Sequence, residues 1–423
     1  MPRGQDNRVT GLRIAAIGAI FAVAALAVPA LAQTAPWRNV EGPLRQLTDI
    51  AAIEQLARDH PHSSNVRLAL LNVYLEAEMM DAALLEIEFL AERGYRFSEA
   101  GRAALLAAFD DGTRERLEAL FAAGSGPIEA SVGLATVPVE AELVEALAWR
   151  GDGETLFAST IVSRALYRRA GQGPWQRVEL PVAGSLGGLV YDDAEGTLWI
   201  SSGVYEQTPD PESAFRGLIG YSPDDGTTIT IAGPEDSTPG DIALADDGTI
   251  YASDPLGGAI YAAHEGNLTV WVGPGTFRSP QGLVPWNGGL IVSDYGYGLA
   301  FVAPDRRVWR IDTEVPALLD GIDGMWRHGD RIVAIQNGAR PPRIVELKLS
   351  ADGLRVAAVR ELERAHPAWT EPLGGTIVGD SFVYVATGQW DRFGEGGSVR
   401  EGLVPQETDL RRLPLGESAA PPR

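Results

Sequence analysis

The chain has 423 residues, 57 of them acidic against 35 Lys plus Arg, with a formal net charge of −22 and no cysteine. That composition excludes disulfides, thiolate metal sites and cysteine nucleophiles, and it argues against nucleic acid or anionic lipid as a partner. A chain of this length can bury a large core without covalent staples.

The first segment reads as a targeting signal. Arg3, Arg8 and Arg13 precede an apolar run from Ile14 to Val28 and the small-residue site Ala30-Leu31-Ala32. This pattern predicts a cleavable secretory signal over residues 1–32, placing the mature protein in the periplasm or outside the cell. The run falls short of the roughly 20 residues a membrane span needs, so no membrane contact is expected after cleavage. The segment's three Arg and one Asp contribute +2, so the remainder carries −24.

Residues 40–127 carry helical periodicity. Leu44, Leu47, Ile50 and Ile53 recur at a spacing of three, and "NVRLALLNVYLEAEMMDAALLEIEFLAERG" is the clearest stretch. Leu70, Leu71 and Tyr74 share one face, and Ala83, Ile87 and Leu90 share a face of the next helix. The spacing resembles a tetratricopeptide repeat with one good unit, which implies a small α-helical domain able to dock a protein partner. An ordinary antiparallel helical bundle fits the same periodicity. "GSG" and Pro127 mark a linker at Gly124–Pro127.

From residue 128 the period changes to two. "TLFAST", "TLWISS", "TIYASD", "GLIVSD", "RIVAIQ" and "SFVYVA" begin at 155, 197, 249, 289, 331 and 381, with intervals of 42, 52, 40, 42 and 50. Each follows a turn such as Asp247-Gly248 or Asn287-Gly288, which accepts the positive φ of a tight hairpin. Six near-equal units, each a small antiparallel sheet, predict a mainly β fold. The expectation is a six-bladed β-propeller over 128–415, preceded by the small α-helical domain and followed by a disordered tail over 416–423. "ETDLRRLPL" reads as a strand of the last blade, and "SVGLATVP" at Ser131 as the strand that closes the ring from the other end of the chain.

In a propeller the innermost strands converge on a channel, and the residues that open them ring its mouth. That position reads Glu145, Gly187, Gly240, Gln281, Asp323 and Leu373 or Gly374. Two carboxylates and an amide are hard oxygen donors suited to a divalent cation such as Ca²⁺ or Mg²⁺. Solvated channel-mouth residues are the alternative. Asp241, His366, Trp369 and Glu371 lie close by in sequence and complete the candidate substrate-binding set with Gly240. Asp254 and Asp294, in "SDP" and "SDY", read instead as turn-binding carboxylates. Ser185 in "AGSLGG" has no helix after it and is not a nucleophile elbow.

Four stretches carry a family resemblance. "EALAW", "SPQGL", "DGIDGM" and "TPGDIALADDGTIYASDP" resemble motifs of the senescence marker protein/gluconolactonase family, over about residues 140–395. The resemblance implies a six-bladed propeller hydrolysing sugar lactones with a bound metal. It implies Glu145, Gln281 and Asp323 as metal ligands, Asp323 also as catalytic base, and Gly240 at a substrate-contacting position. Gln281 replaces an Asn of the pattern, Gly240 another Asn, and Ala146 and Leu147 its Gly-Pro. Two functions follow as expectations: an exported metal-dependent lactonase acting on a small-molecule substrate, or a non-catalytic binding or scaffold protein whose helices dock a partner.

Overall fold

A computed structural model describes residues 35–416, apart from 41–43, 45, 46, 48, 123–125, 152 and 153. The expected signal segment, most of the tail, the core of the Gly124–Pro127 linker and the Asp152-Gly153 turn lie outside the described residues.

Six sheets form the six blades of a β-propeller. Blade one holds strands Val144–Arg150, Thr155–Thr160, Leu166–Ala170 and Gln176–Val178. Blades two, three and four repeat this four-stranded antiparallel meander, opening at Ser185, Ile242 and Pro280. Blade five, opening at Gly324, adds a short fifth strand, Asp312–Thr313, parallel to its outer strand Arg355–Arg364. In blade six, Gly375–Val378, Ser381–Val385 and Thr408–Pro414 are joined by Val132–Val137. That last pairing is antiparallel, Val132 against Arg412 and Val137 against Thr408, and it closes the ring with strands from two distant parts of the chain. Closing the ring leaves only short, protected strand edges.

The blades bury alternate aliphatic residues between neighbouring sheets. Leu147, Leu156 and Ala158 of blade one meet Leu373, Val383 and Val385 of blade six, while Phe157 and Leu166 meet Leu198 and Ile200 of blade two. The period of two in the sequence is the cause: one face of each strand goes to each neighbouring blade.

Among the described residues, five α-helices precede the ring: α1 (Ile50–Asp59), α2 (Ser64–Glu76), α3 (Met80–Glu92), α4 (Glu99–Ala107) and α5 (Asp111–Ala122). Asp49, Ser63 and Ser98 cap α1, α2 and α4 by accepting backbone N–H bonds. α2 and α3 form one helical hairpin through Leu70, Tyr74, Ala83, Ile87 and Leu90; the likeness to a tetratricopeptide repeat extends no further than this hairpin.

The helices and the ring belong to one compact unit, Thr34–Arg423. The corner between α1 and α2 lies on blades four and five. Ser63 Oγ donates to Gly296 O at 2.7 Å, and Ser64 Oγ and Asn65 N donate to Asp320 Oδ2 at 2.7 and 3.1 Å. Asp320 thus places a buried carboxylate at the positive end of α2. Arg310 donates to the last carbonyls of α1, Arg58 O and Asp59 O, at 3.0 and 2.8 Å. His62 pairs with Asp312, and His60 is buried between the rings of Trp37 and Tyr297.

Candidate functional site

The inner strands are bulged where they reach the channel. Register slips between Val144 and Leu147, between Leu186 and Leu189, and between Pro280 and Leu283. Each bulge releases two residues from the ladder: Glu145-Ala146, Gly187-Gly188 and Gln281-Gly282. A bulge re-aims side chains that a regular strand would send into the blade interface. Serines on the second strands bind these bulges and the inner strand of blade three. Ser159 Oγ bonds Ala146 N at 3.1 Å and Gly187 O at 2.6 Å, Ser201 Oγ donates to Gly240 O, and Ser293 Oγ donates to Gly282 O at 3.3 Å. In blade three, Ser253 Oγ accepts from Asp241 N at 3.1 Å. Backbone bonds run from blade to blade as well: Gly188 N to Gly240 O at 2.8 Å and Gly282 N to Asp323 O at 2.9 Å.

These positions line one cavity of about 310 Å³. Glu145, Gly187, Gly240, Asp241, Gln281, Asp323, Glu371, Leu373 and Gly374 are all in its wall. Two residues of the expected set are elsewhere. The His366 ring accepts from Ala368 N at Nδ1 and stacks near Trp369, whose Nε1 donates to Tyr384 Oη at 2.9 Å. A buried indole needs a partner for its N–H, and Tyr384 supplies one between blades rather than in the channel. His366 and Trp369 are therefore packing residues of blades five and six, not part of the cavity.

Four side chains of the wall were not anticipated. Trp390 Nε1 donates to Glu145 Oε2 at 2.8 Å. Asn337 Nδ2 donates to Asp323 Oδ2 at 2.8 Å and to Pro372 O at 3.1 Å, while its Oδ1 accepts from Tyr295 Oη at 3.0 Å. Tyr205 lies edge-on to Trp390 at 6.0 Å between ring centres. Each carboxylate of the ring is thus held by a neutral donor that leaves its second oxygen free. The amide nitrogen of Gln281 points to Ser279 Oγ at 3.1 Å, which leaves its carbonyl oxygen for the cavity.

The electrostatics of the wall are one-sided. Glu145, Asp241, Asp323 and Glu371 face the space, and among the described residues no lysine, arginine or histidine lines it. Burial raises all four carboxyls, and mutual repulsion adds to it for three of them. Burial and then Asp323 push Glu145 well up, although the Trp390 N–H opposes this. Burial lifts Asp323 to about 6 against the Asn337 hydrogen bond. Burial and Asp323 bring Glu371 to about 7, and burial brings Asp241 to about 7 against the Ile242 N–H. Like charges in low dielectric favour protons or a cation between them.

The donor set is all oxygen: four carboxyls, the Gln281 and Asn337 amides and two phenols. That chemistry fits a hard divalent cation. Among the described residues, no three acidic or histidine side chains are gathered closely enough to hold a metal ion by themselves, so amide or phenol oxygens would have to share in it.

Gly240 has a local reason. A Cβ there would lie 2.9 Å from Pro255 Cδ and 3.4 Å from Tyr205 Oη. The proline ring of "SDP" fills the space that a side chain would enter. Asp254 and Asp294 bind turns as expected: Asp254 accepts from Leu256 N and Gly257 N, and Asp294 from Arg278 N and Gly296 N. Ser185 Oγ donates to Ile161 O at 2.8 Å in the core.

No family model matches the chain, and no curated protein matches it. Solved structures do. A protein assigned, not demonstrated, as a gluconolactonase is 17% identical over 68% of this chain and 93% of its own, with a TM-score of 0.46. A luciferin-regenerating enzyme is 12% identical over 70% and 98%, with a TM-score of 0.47. The PQQ-bound form of an aldose sugar dehydrogenase from Streptomyces coelicolor is 16% identical over 68% and 99%, with a TM-score of 0.45. At such identities and scores these neighbours carry no argument about chemistry; the propeller class rests on the six sheets themselves.

Proposed function

We propose that the protein is an exported, cation-dependent hydrolase of lactones, with the channel mouth as its active site. One observation carries the reading: among the described residues, four carboxyls and no basic side chain line the cavity, and the two at the ring positions are each fixed by one neutral hydrogen-bond donor. Glu145, Asp323 and the Gln281 oxygen would hold a divalent cation. When bound, such an ion compensates the negative field and polarises a carbonyl.

The chain's own residues then have distinct tasks. Trp390 keeps Glu145 from turning into the blade. Asn337, oriented by Tyr295, holds one oxygen of Asp323, so the other can accept a proton from a water molecule. The water oxygen bonds to the lactone carbonyl carbon, the ring C–O bond breaks, and the departing alkoxide takes up a proton to give a hydroxy acid. The glycines at 187 and 188 let the next blade come close, since a Cβ there would meet Gly240 O at 2.7 Å and Asp241 Oδ1 at 2.6 Å.

Pro255 against Gly240 favours a second reading, a binding protein without catalysis, because a proline replaces a polar group beside the cavity. Proton release on addition of butyrolactone and gluconolactone separates the two. The hydrolase reading expects turnover that a chelator abolishes and calcium, magnesium, manganese or zinc restores. It expects Glu145→Gln and Asp323→Asn each to lose at least about a hundredfold, a typical cost of removing a general base. Absence of turnover together with a melting temperature unmoved by all four cations overturns it.

A further inference from the structure

A second cavity adjoins the first. It measures about 700 Å³ and lies between the helices and blade four. Ser279 and Tyr295 line both spaces. Tyr295 N donates to Ser279 O at 3.0 Å, so the shared wall is one backbone-bonded pair of loop residues, with the Tyr295 hydroxyl wired through Asn337 to Asp323.

The wall opposite is α2. Its lining residues are Asn65, Leu68, Ala69, Asn72, Val73 and Glu76, which recur at the spacing of one helical face. The other face of α2, with Val66, Leu70, Leu71 and Tyr74, is already in the core. Leu68, Ala69 and Val73 of the lining face pack only partly against the core and so border the recess as well. Ile53 of α1, Leu44, Leu47 and Tyr297 extend the apolar surface. Polar residues sit at the edge: Asn65, Asn72, Glu76 and Arg278 are exposed. A recess of this volume with an apolar wall and a polar rim is of the size that holds a small organic group.

We propose that this recess is a side pocket for a hydrocarbon chain carried by the substrate of the channel mouth. The substrate class is then an amphiphile: a neutral, carbonyl-bearing oxygen ring in the acidic cup and an unbranched alkyl chain running past Tyr295 along α2. The assignment of the head group rests on the hydrolase reading; the assignment of the chain rests on the recess alone. The helices, in this view, are part of the binding site.

The test uses the full protein and γ-lactams with butyl, hexyl and octyl side chains, which resist hydrolysis, measured by titration calorimetry. The association constant should rise up to about fourfold per methylene, the value for moving one CH₂ out of water. Ala69→Trp, and separately Val73→Trp, fill the recess from a half-buried position and should flatten that dependence. Asp323→Asn should keep it. The matching lactones should show the same trend in kcat/KM. Chain-length-dependent lactam binding that Ala69→Trp abolishes, without hydrolysis of any lactone, sinks the hydrolase reading and sustains the pocket. Lactone turnover with binding and kcat/KM indifferent to chain length overturns the pocket and leaves the hydrolase. Failure of every lactam to bind, or equal chain-length dependence in both filled variants, also overturns the pocket.

Discussion

Each of Asp241, Asp323 and Glu371 has a folded pKa above its ordinary value, 3.8 for the aspartates and 4.5 for the glutamate. The folded state therefore holds these protons more tightly than the unfolded chain. Their stabilisation is complete below the ordinary values and is lost as pH rises through about 6 and about 7. For the cation-free protein, these groups should raise the melting temperature between pH ~7.5 and ~5, and Asp323→Asn should shrink that rise. A cation competes with the same protons, so its stabilising shift should be larger at the higher pH. Calorimetric melts with and without chelator read both effects; a cation shift that grows on acidification contradicts them. His60 has the opposite sign. Burial lowers it from 6.5 to about 4, so acid below 6.5 favours the unfolded chain. His60→Asn should blunt the loss of stability over that window. Gly240→Asn is a steric test: with Pro255 at 2.9 Å from the new Cβ, it should cost about 1–3 kcal/mol in a denaturant titration rather than restore a contact.

At the level of strands, the six-fold repeat was legible because hairpin turns and alternation report directly on blade geometry. The ring positions followed from it, since each blade offers the channel the start of one strand. Trp390, Asn337, Tyr295 and Tyr205 were not legible. They come from connections after second strands, whose paths have no period. A trace was present in the fifth residue of four repeats, Ser159, Ser201, Ser253 and Ser293, which binds the backbone at the start of an inner strand in its own blade or the next. His366 and Trp369 misled because nearness to Glu371 in sequence says nothing about which way a loop turns. The closing strand makes its own prediction. Its neighbour Ser131 donates to Glu363 Oε1 at 2.7 Å and accepts from Arg411 at 2.7 Å, and Glu363 is fully buried. Deleting residues 128–137 should leave that carboxylate short of donors at a cost of about 3–5 kcal/mol and broaden the melt. A truncated chain that melts as sharply as the intact one refutes this.

For the whole molecule, the helices and the ring should unfold together. Their junction is built from buried polar bonds to Asp320, Gly296 and the end of α1 rather than from a loose linker. Asp320→Ala strips the partners from Ser64 and Asn65 and should lower stability by about 1–3 kcal/mol while keeping one transition by both circular dichroism and tryptophan fluorescence. Two separated transitions would mean that the helices are an independent arm.

Ring closure also sets a timetable. Ser131 and Arg411 are 280 residues apart in the chain. A ribosome that has delivered five blades has delivered nothing that can lock, because the strand that must meet Val132–Val137 is among the last to appear. Contacts of such long range form late and slowly. A nascent chain of this design stays open for almost its whole synthesis and leaves the first blade exposed to proteases for just as long.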